Sequence, residues 1–256
     1  MKIAAGVVAL FVVLAGPVLA GPKKPQDPTV KAALKKFEED FYRNGAKPEA
    51  KIQAIIALAI HKNEHSAKAL SNLFARDVAA VRIVAARELG RFTMVPQAGK
   101  TLLEALRNNA NGGNKYASVR IQLLRGLGDL RVKDASQDVD RYVEDKNVWI
   151  AKAAIDASGK IKNKKTVDTL IDALKRIEGP MGDGQVALNP LIDAFKEVTL
   201  GGLLGAEGNE RPMSERDLLK QPINDALRAI TRMPYATSKE WDTWWKTNKS
   251  AFEVKE

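Results

Sequence analysis

Val81-Arg82-Ile83-Val84-Ala85-Ala86-Arg87-Glu88-Leu89-Gly90 (VRIVAARELG) decides the fold, because the chain writes it more than once. Val119–Gly128 (VRIQLLRGLG) stands 38 residues further on, and Ile150–Gly159 (IAKAAIDASG) 31 residues after that. Lys51–Ile60 (KIQAIIALAI) is a weaker copy 30 residues before the first. Self-similarity at this pitch is the signature of a stacked array, in which each unit buries its apolar face against the next.

Each copy is apolar at helical spacing. Val81, Val84, Ala85 and Leu89 share a face, as do Val119, Leu123 and Leu127. Gly90, Gly128 and Gly159 close the three clear copies, at the place where a left-handed residue ends a helix. Asp77, Asn114 and Asp145 precede them, where an N-cap acceptor is wanted. Partner helices are predicted at Ser66–Ala75, Gln97–Arg107, Ala135–Val143 and Lys165–Ile177. Leu102, Leu103 and Leu106, and then Val167, Leu170, Ile171 and Leu174, give two of these an apolar stripe. No run alternates with period two, so almost no strand is expected.

These residues resemble the HEAT-repeat family, whose second helix carries a V-R-x-x-A-A-x-x-L-G type pattern. The resemblance spans about residues 50–178, with the arginine lost from the third copy. It implies an all-α fold: a right-handed α-solenoid of about five or six stacked antiparallel helix pairs. It implies a scaffold for protein–protein interaction and no particular chemistry.

Residues 1–20 read as an address. Lys2 is a short basic start, Ile3–Leu14 an apolar run, and Val18-Leu19-Ala20 suits cleavage after Ala20. The expected product is exported to the periplasm or beyond. Cleavage takes one lysine from the net charge of +10, leaving +9. No other stretch is apolar enough to span a bilayer, so no stable membrane insertion is expected after cleavage. Residues 21–29, rich in Pro and Lys, are expected to be a flexible leader. Residues 30–178 are the repeats. Residues 179–236 hold degenerate helices among Gly-rich loops, with Leu191–Thr199 and Ile223–Thr231 alike. Residues 237–256 form a Trp-rich closing helix. Thr237 and Glu240 fit a capping box, and Trp241, Trp244 and Trp245 fall on one face.

Chemistry is scarce. There is no Cys and there are two His, which excludes disulfide frameworks, thiol nucleophiles and Cys-based zinc sites. His61-Lys62-Asn63-Glu64-His65 matches H-x-x-E-H, an inverted zinc-protease motif. That chemistry needs both His on one helix, and here the motif falls between two helices. A zinc hydrolase is the remote alternative; no catalytic residue, metal or cofactor is expected. The acids Glu38-Glu39-Asp40 and Asp138/Asp140 read as solvated faces with local ion pairs.

The binding candidates follow from charge and aromaticity. Arg82 and Arg120 recur on the copied helices. Lys160, Lys162, Lys164 and Lys165 crowd one turn, and turns line up along one edge of a solenoid. Lys35, Lys36, Arg120, Arg125, Arg131 and Lys133 add to the basic side. The chain is expected to bind a protein partner through these groups. The alternative is an anionic or carbohydrate polymer, held by the basic turns or by Trp241, Trp244 and Trp245. Nucleic acid is not expected, since few aromatics interleave with the basic residues.

Overall fold

The copied segments become one row of parallel helices, and the segments between them become a second row. The computed structural model describes residues 27–43, 45–179, 183 and 214–255. Its α-helices, in chain order, are α1 (Pro28–Phe41), α2 (Pro48–Ala59), α3 (Glu64–Ser71), α4 (Ala79–Leu89), α5 (Pro96–Arg107), α6 (Ala117–Asp129), α7 (Ser136–Asp140), α8 (Val148–Ile161), α9 (Thr166–Glu178), α10 (Glu215–Thr231) and α11 (Ser238–Asn248). The inner row is α2, α4, α6, α8 and α10, each packed on the next. The outer row is α1, α3, α5, α7, α9 and α11. The described residues are all-helical, and neighbouring helices pack as in an α-solenoid. The helix predicted at Gln185–Thr199, with its Leu191–Thr199 stretch, and the signal segment lie outside the described residues. None of the described helices is long and apolar enough to cross a membrane.

The two rows differ because their surroundings differ. An inner helix is wedged between two inner neighbours and the outer row, so α4 buries Ala80, Val81, Ile83, Val84, Ala85, Ala86 and Leu89 around most of its circumference. An outer helix keeps one wet side. Accordingly α9 buries Val167, Leu170, Ile171, Leu174 and Ile177 along one stripe and exposes Asp172 and Lys175.

The glycines of the copied motif serve this packing, and the one that also ends its helix, Gly90 at the C-cap of α4, does so without a left-handed turn. Gly90 has φ −60°, an ordinary right-handed value. A Cβ on Gly128 would stand 2.8 Å from Ala157 Cα, and one on Gly159 would stand 2.9 Å from Ala226 Cα. Small residues let the backbones of successive inner helices touch. The left-handed residue expected at Gly is Met94 (φ 71°) in the turn after α4, and a basic residue after the next three inner helices: Arg131 (φ 51°), Lys162 (φ 57°) and Arg232 (φ 64°).

Other expectations shift at the ends of elements. Asp27 Oδ1 accepts from Thr29 N at 2.8 Å and Pro28 opens α1, so residues 28 and 29 belong to a helix rather than to the leader. Asn147, not Asp145, caps α8, accepting from Trp149 N at 3.1 Å. Asp77 and Asn114 likewise do not cap: α4 and α6 begin after Val78 and Tyr116, without a side-chain cap. The helix expected over Ala135–Val143 is the five-residue α7, far shorter than the twelve-residue α5 beside it. The outer row thins there.

The row closes at α11, which packs on α9. Its capping box forms: Thr237 Oγ1 accepts from Glu240 N, and the Glu240 carboxylate accepts from Thr237 N at 3.0 Å. Both interactions satisfy N–H groups that a helix start leaves without partners.

Candidate binding surfaces

Arg82 and Arg120 sit in the first turns of α4 and α6, where the copied motif places them, but neither presents a surface. Arg82 is 4% exposed and Arg120 8%. Arg82 Nε donates to Asp77 O at 2.7 Å, while its NH1 donates to Ala110 O at 2.7 Å and Asn111 Oδ1 at 2.8 Å. The Tyr116 ring stacks on the guanidinium, 4.4 Å away. Arg120 NH1 donates to Asn111 O at 2.9 Å and Gly113 O at 2.8 Å. These arginines satisfy the carbonyls of the α5–α6 loop, which buries polar backbone that would otherwise face no donor. The expectation that they contact a partner is corrected on that ground.

The Trp helix is corrected in part. Trp241 is fully buried and Trp245 3% exposed. Trp241 Nε1 donates to Asn224 Oδ1 at 2.8 Å, and Trp245 Nε1 to Asp168 Oδ1 at 2.9 Å. Each indole thus covers the apolar end of the array and finds an acceptor for its one donor. Neither is available as a platform. Trp244 is half-buried, edge-on to Phe252 at 5.8 Å, and keeps one side in solvent.

The lysine turn stays at the surface. Lys160 and Lys165 are exposed, while Lys162 and Lys164 are half-buried. Lys160 pairs with Asp129 at 2.7 Å, and Lys164 Nζ reaches Ser250 O at 3.5 Å. The side chains of Lys162 and Lys165 have no ionic or hydrogen-bonding partner among the described residues. Arg131, exposed at the exit of α6, occupies the place that Lys162 takes at the exit of α8 and Arg232 at that of α10. Because α6, α8 and α10 stack side by side, these basic exits form a line along one edge.

Charges elsewhere are largely matched. Lys175 lies between Asp172 at 3.2 Å and Asp242 at 2.8 Å; the hydrogen bond to Asp242 holds the Lys175 ammonium above its usual range and Asp242 below its own. Burial pushes the Glu178 carboxyl up, but hydrogen bonds from Ser238 and Lys220 outweigh it and leave the group below its usual range. Asp138 makes the expected ion pairs but stands on no solvated face, and Asp140 is half-buried. Asp138 is 8% exposed and bound to Arg107 at 2.7 Å. Burial pushes the Asp140 carboxyl up, with the Thr166 hydroxyl partly opposing it. Both acids point inward because α7 is short and lies pressed between α8 and α9.

His61 and His65 do not share a helix. α2 ends at Ala59 and α3 begins at Glu64, with Asn63 Oδ1 capping it through His65 N at 2.9 Å. The inverted zinc-protease motif therefore lacks its single helix. Among the described residues no group of three His, Cys, Asp or Glu side chains could hold a metal ion.

The sequence gives little notice of Arg107 and Arg141. One ends α5 and the other leaves α7, outside the copied motif, and only folding brings them both to Asp138. No periodicity marks such a pair.

Residues 113–180 match the family model of HEAT repeats. The match covers α6 to α9, and with them the second and third clear copies of the motif. No curated protein matches the chain. No solved structure matches it.

Proposed function

We propose that this HEAT-repeat protein, whose family match spans residues 113–180, is a non-catalytic scaffold that binds an acidic partner protein along its basic edge. HEAT repeats generally mediate protein–protein interaction, which supports the coarse reading. The observation that carries the finer one is the line of left-handed basic exits, Arg131 and Lys162, with exposed Lys165 beside them. A left-handed backbone costs a non-glycine residue roughly 1–2 kcal/mol, so glycine would be the cheaper residue at these positions. Basic side chains stand there instead, and a row of like charges along one edge favours an extended acidic surface.

Glycine also supplies the test, since it suits the backbone at both exits. The Arg131→Gly/Lys162→Gly/Lys165→Gln variant is expected to keep its helical circular dichroism and its Tm. A cross-linked partner captured at low salt from a cell-envelope fraction is expected to be lost with the variant and with added salt. Capture that is equal for parent and variant would overturn the reading. Retention on teichoic-acid-like or other anionic polymer, with no protein captured, would move the assignment to a polymer-binding module.

Export belongs to the same proposal. The apolar run Ile3–Leu14 and the small residues ending at Ala20 support it. N-terminal sequencing of protein from the native host is expected to begin at Gly21; a chain that begins at Met1 in the cytosolic fraction would refute it.

A further inference from the structure

We infer that the cleft between the α5–α6 loop and α7 is a carboxylate-binding site, shaped for an acidic side chain of a peptide segment. The cleft encloses about 440 Å³ and is lined by Arg107, Asn108, Arg120, Gln137, Arg141 and Tyr142. Asp138 also reaches it, held by Arg107 at 2.7 Å and facing Arg141 at 3.7 Å. Within the lining three guanidiniums face one carboxylate, and Glu104 near Arg107 and Asp145 near Tyr142 are the further acids in its surroundings. Guanidinium forks match the two oxygens of a carboxylate, and in a partly enclosed cleft such bonds are stronger than at an open surface.

The cleft exists because one inter-repeat contact is missing. At the α4–α6 junction Arg82 crosses to the following repeat and holds Ala110 O and Asn111 Oδ1. Arg120 stands at the same position of the motif but turns back to its own loop, through NH1 alone. Its Nε is buried with no hydrogen-bond partner, and its NH2 makes no hydrogen bond among the described residues. The next repeat offers no counterpart to the Asn111 loop, because α7 is a five-residue helix. The space left over is polar and fringed by Arg107 and Arg141, whose side chains are 56% and 69% exposed. An arginine so incompletely satisfied, beside two reachable ones, is a site prepared for an anion.

The identity of the partner as an acidic protein rests on the function proposed above, but the cleft lies elsewhere. Arg120 is in the first turn of α6, whereas the lysine turn follows the last turn of α8. Gly128 against Ala157 shows that these two helices run side by side in the same sense. The cleft and the lysine turn are therefore on opposite edges and can fail separately.

The test is fluorescence anisotropy of a labelled deca-glutamate peptide with the whole protein in 20 mM salt. Arg141→Glu is expected to weaken binding at least tenfold, and by the same factor in the Arg131→Gly/Lys162→Gly background, whose own loss is the smaller. Arg141→Gln should fall between parent and Arg141→Glu; both are expected to stay folded by circular dichroism, with a lowered Tm in Arg141→Glu, which sets a second carboxylate opposite Asp138. Loss with the lysine-edge variant and none with Arg141→Glu would overturn the cleft and leave the edge standing. Loss with neither, or no binding by the parent, would overturn the cleft outright. Acetate or inorganic phosphate displacing the peptide at concentrations of peptide carboxylate near its own would reduce the cleft to a generic anion site and overturn the peptide assignment.

Discussion

At the α4–α6 junction, Arg82 reaches forward, and its guanidinium is spent on Asp77 O, Ala110 O, Asn111 Oδ1 and the Tyr116 ring. At the α6–α8 junction, Arg120 begins from the same motif position and turns back, leaving Nε without a partner. Both junctions are equally tight on their inner side, where a Cβ on Gly90 would meet Gly126 Cα at 2.9 Å and one on Gly128 would meet Ala157 Cα at 2.8 Å. The difference is confined to the outer row, where α5 has twelve residues and α7 has five. A repeat can thus keep its backbone stacking and still open a polar cleft, by shortening one outer helix.

The strongest way to break this comparison is Arg82→Met. It strands two acceptors of the buried α5–α6 loop and the Asp77 carbonyl, and hydrogen bonds to charged groups contribute about 1.5–3 kcal/mol each. A loss of about 3 kcal/mol in urea unfolding is expected. Gly128→Ala comes next. The added methyl meets backbone at Ala157 and has no flexible side chain to push aside, so overpacking should cost about 2 kcal/mol. A neutral result there would mean that the inner seam of the α6–α8 junction is loose as well. Arg120→Met should cost less than Arg82→Met, about 1 kcal/mol, because fewer of its donors are engaged. Equal losses for the two arginines would erase the distinction between the junctions.

The smallest effect is expected at Asp140 in α7. Burial raises its folded-state pKa above the unfolded value. The folded chain then holds that proton to higher pH than the unfolded chain, so this group makes stability fall as pH rises through the interval between the two values. Asp140→Asn is expected to raise Tm slightly at pH 7 and to leave it unchanged well below the carboxylate range. A lower Tm at pH 7 would mean that the charged form is the one the fold favours.

The array was legible because its cause is periodic. Val81–Gly90, Val119–Gly128 and Ile150–Gly159 stack in the inner row in the register their alignment implies, and the Thr237–Glu240 box starts α11 as written. What the small residues do was not legible. A glycine that ends a helix and a glycine that admits a neighbouring backbone look alike in one dimension, and Gly128 proves to be the second kind. The arginines misled for a related reason. A recurrent charged residue suggests a surface, yet Arg82 and Arg120 both donate to the carbonyls of the one α5–α6 loop. Trp241 and Trp245 were legible as one face and as a cap over the end of the array, but their acceptors Asn224 and Asp168, 17 and 77 residues away, were not. The cleft had no sequence signature at all, because it arises from the shortness of α7 and from two arginines that no pattern links.

The division of labour between buried wiring and exposed charge is tested most directly by urea unfolding of Arg82→Gln and Lys162→Gln measured side by side. The expected result is a loss of about 3 kcal/mol for Arg82→Gln and a change within about 0.5 kcal/mol for Lys162→Gln. Equal, small changes in both would contradict it, by showing that Arg82 carries no structural load.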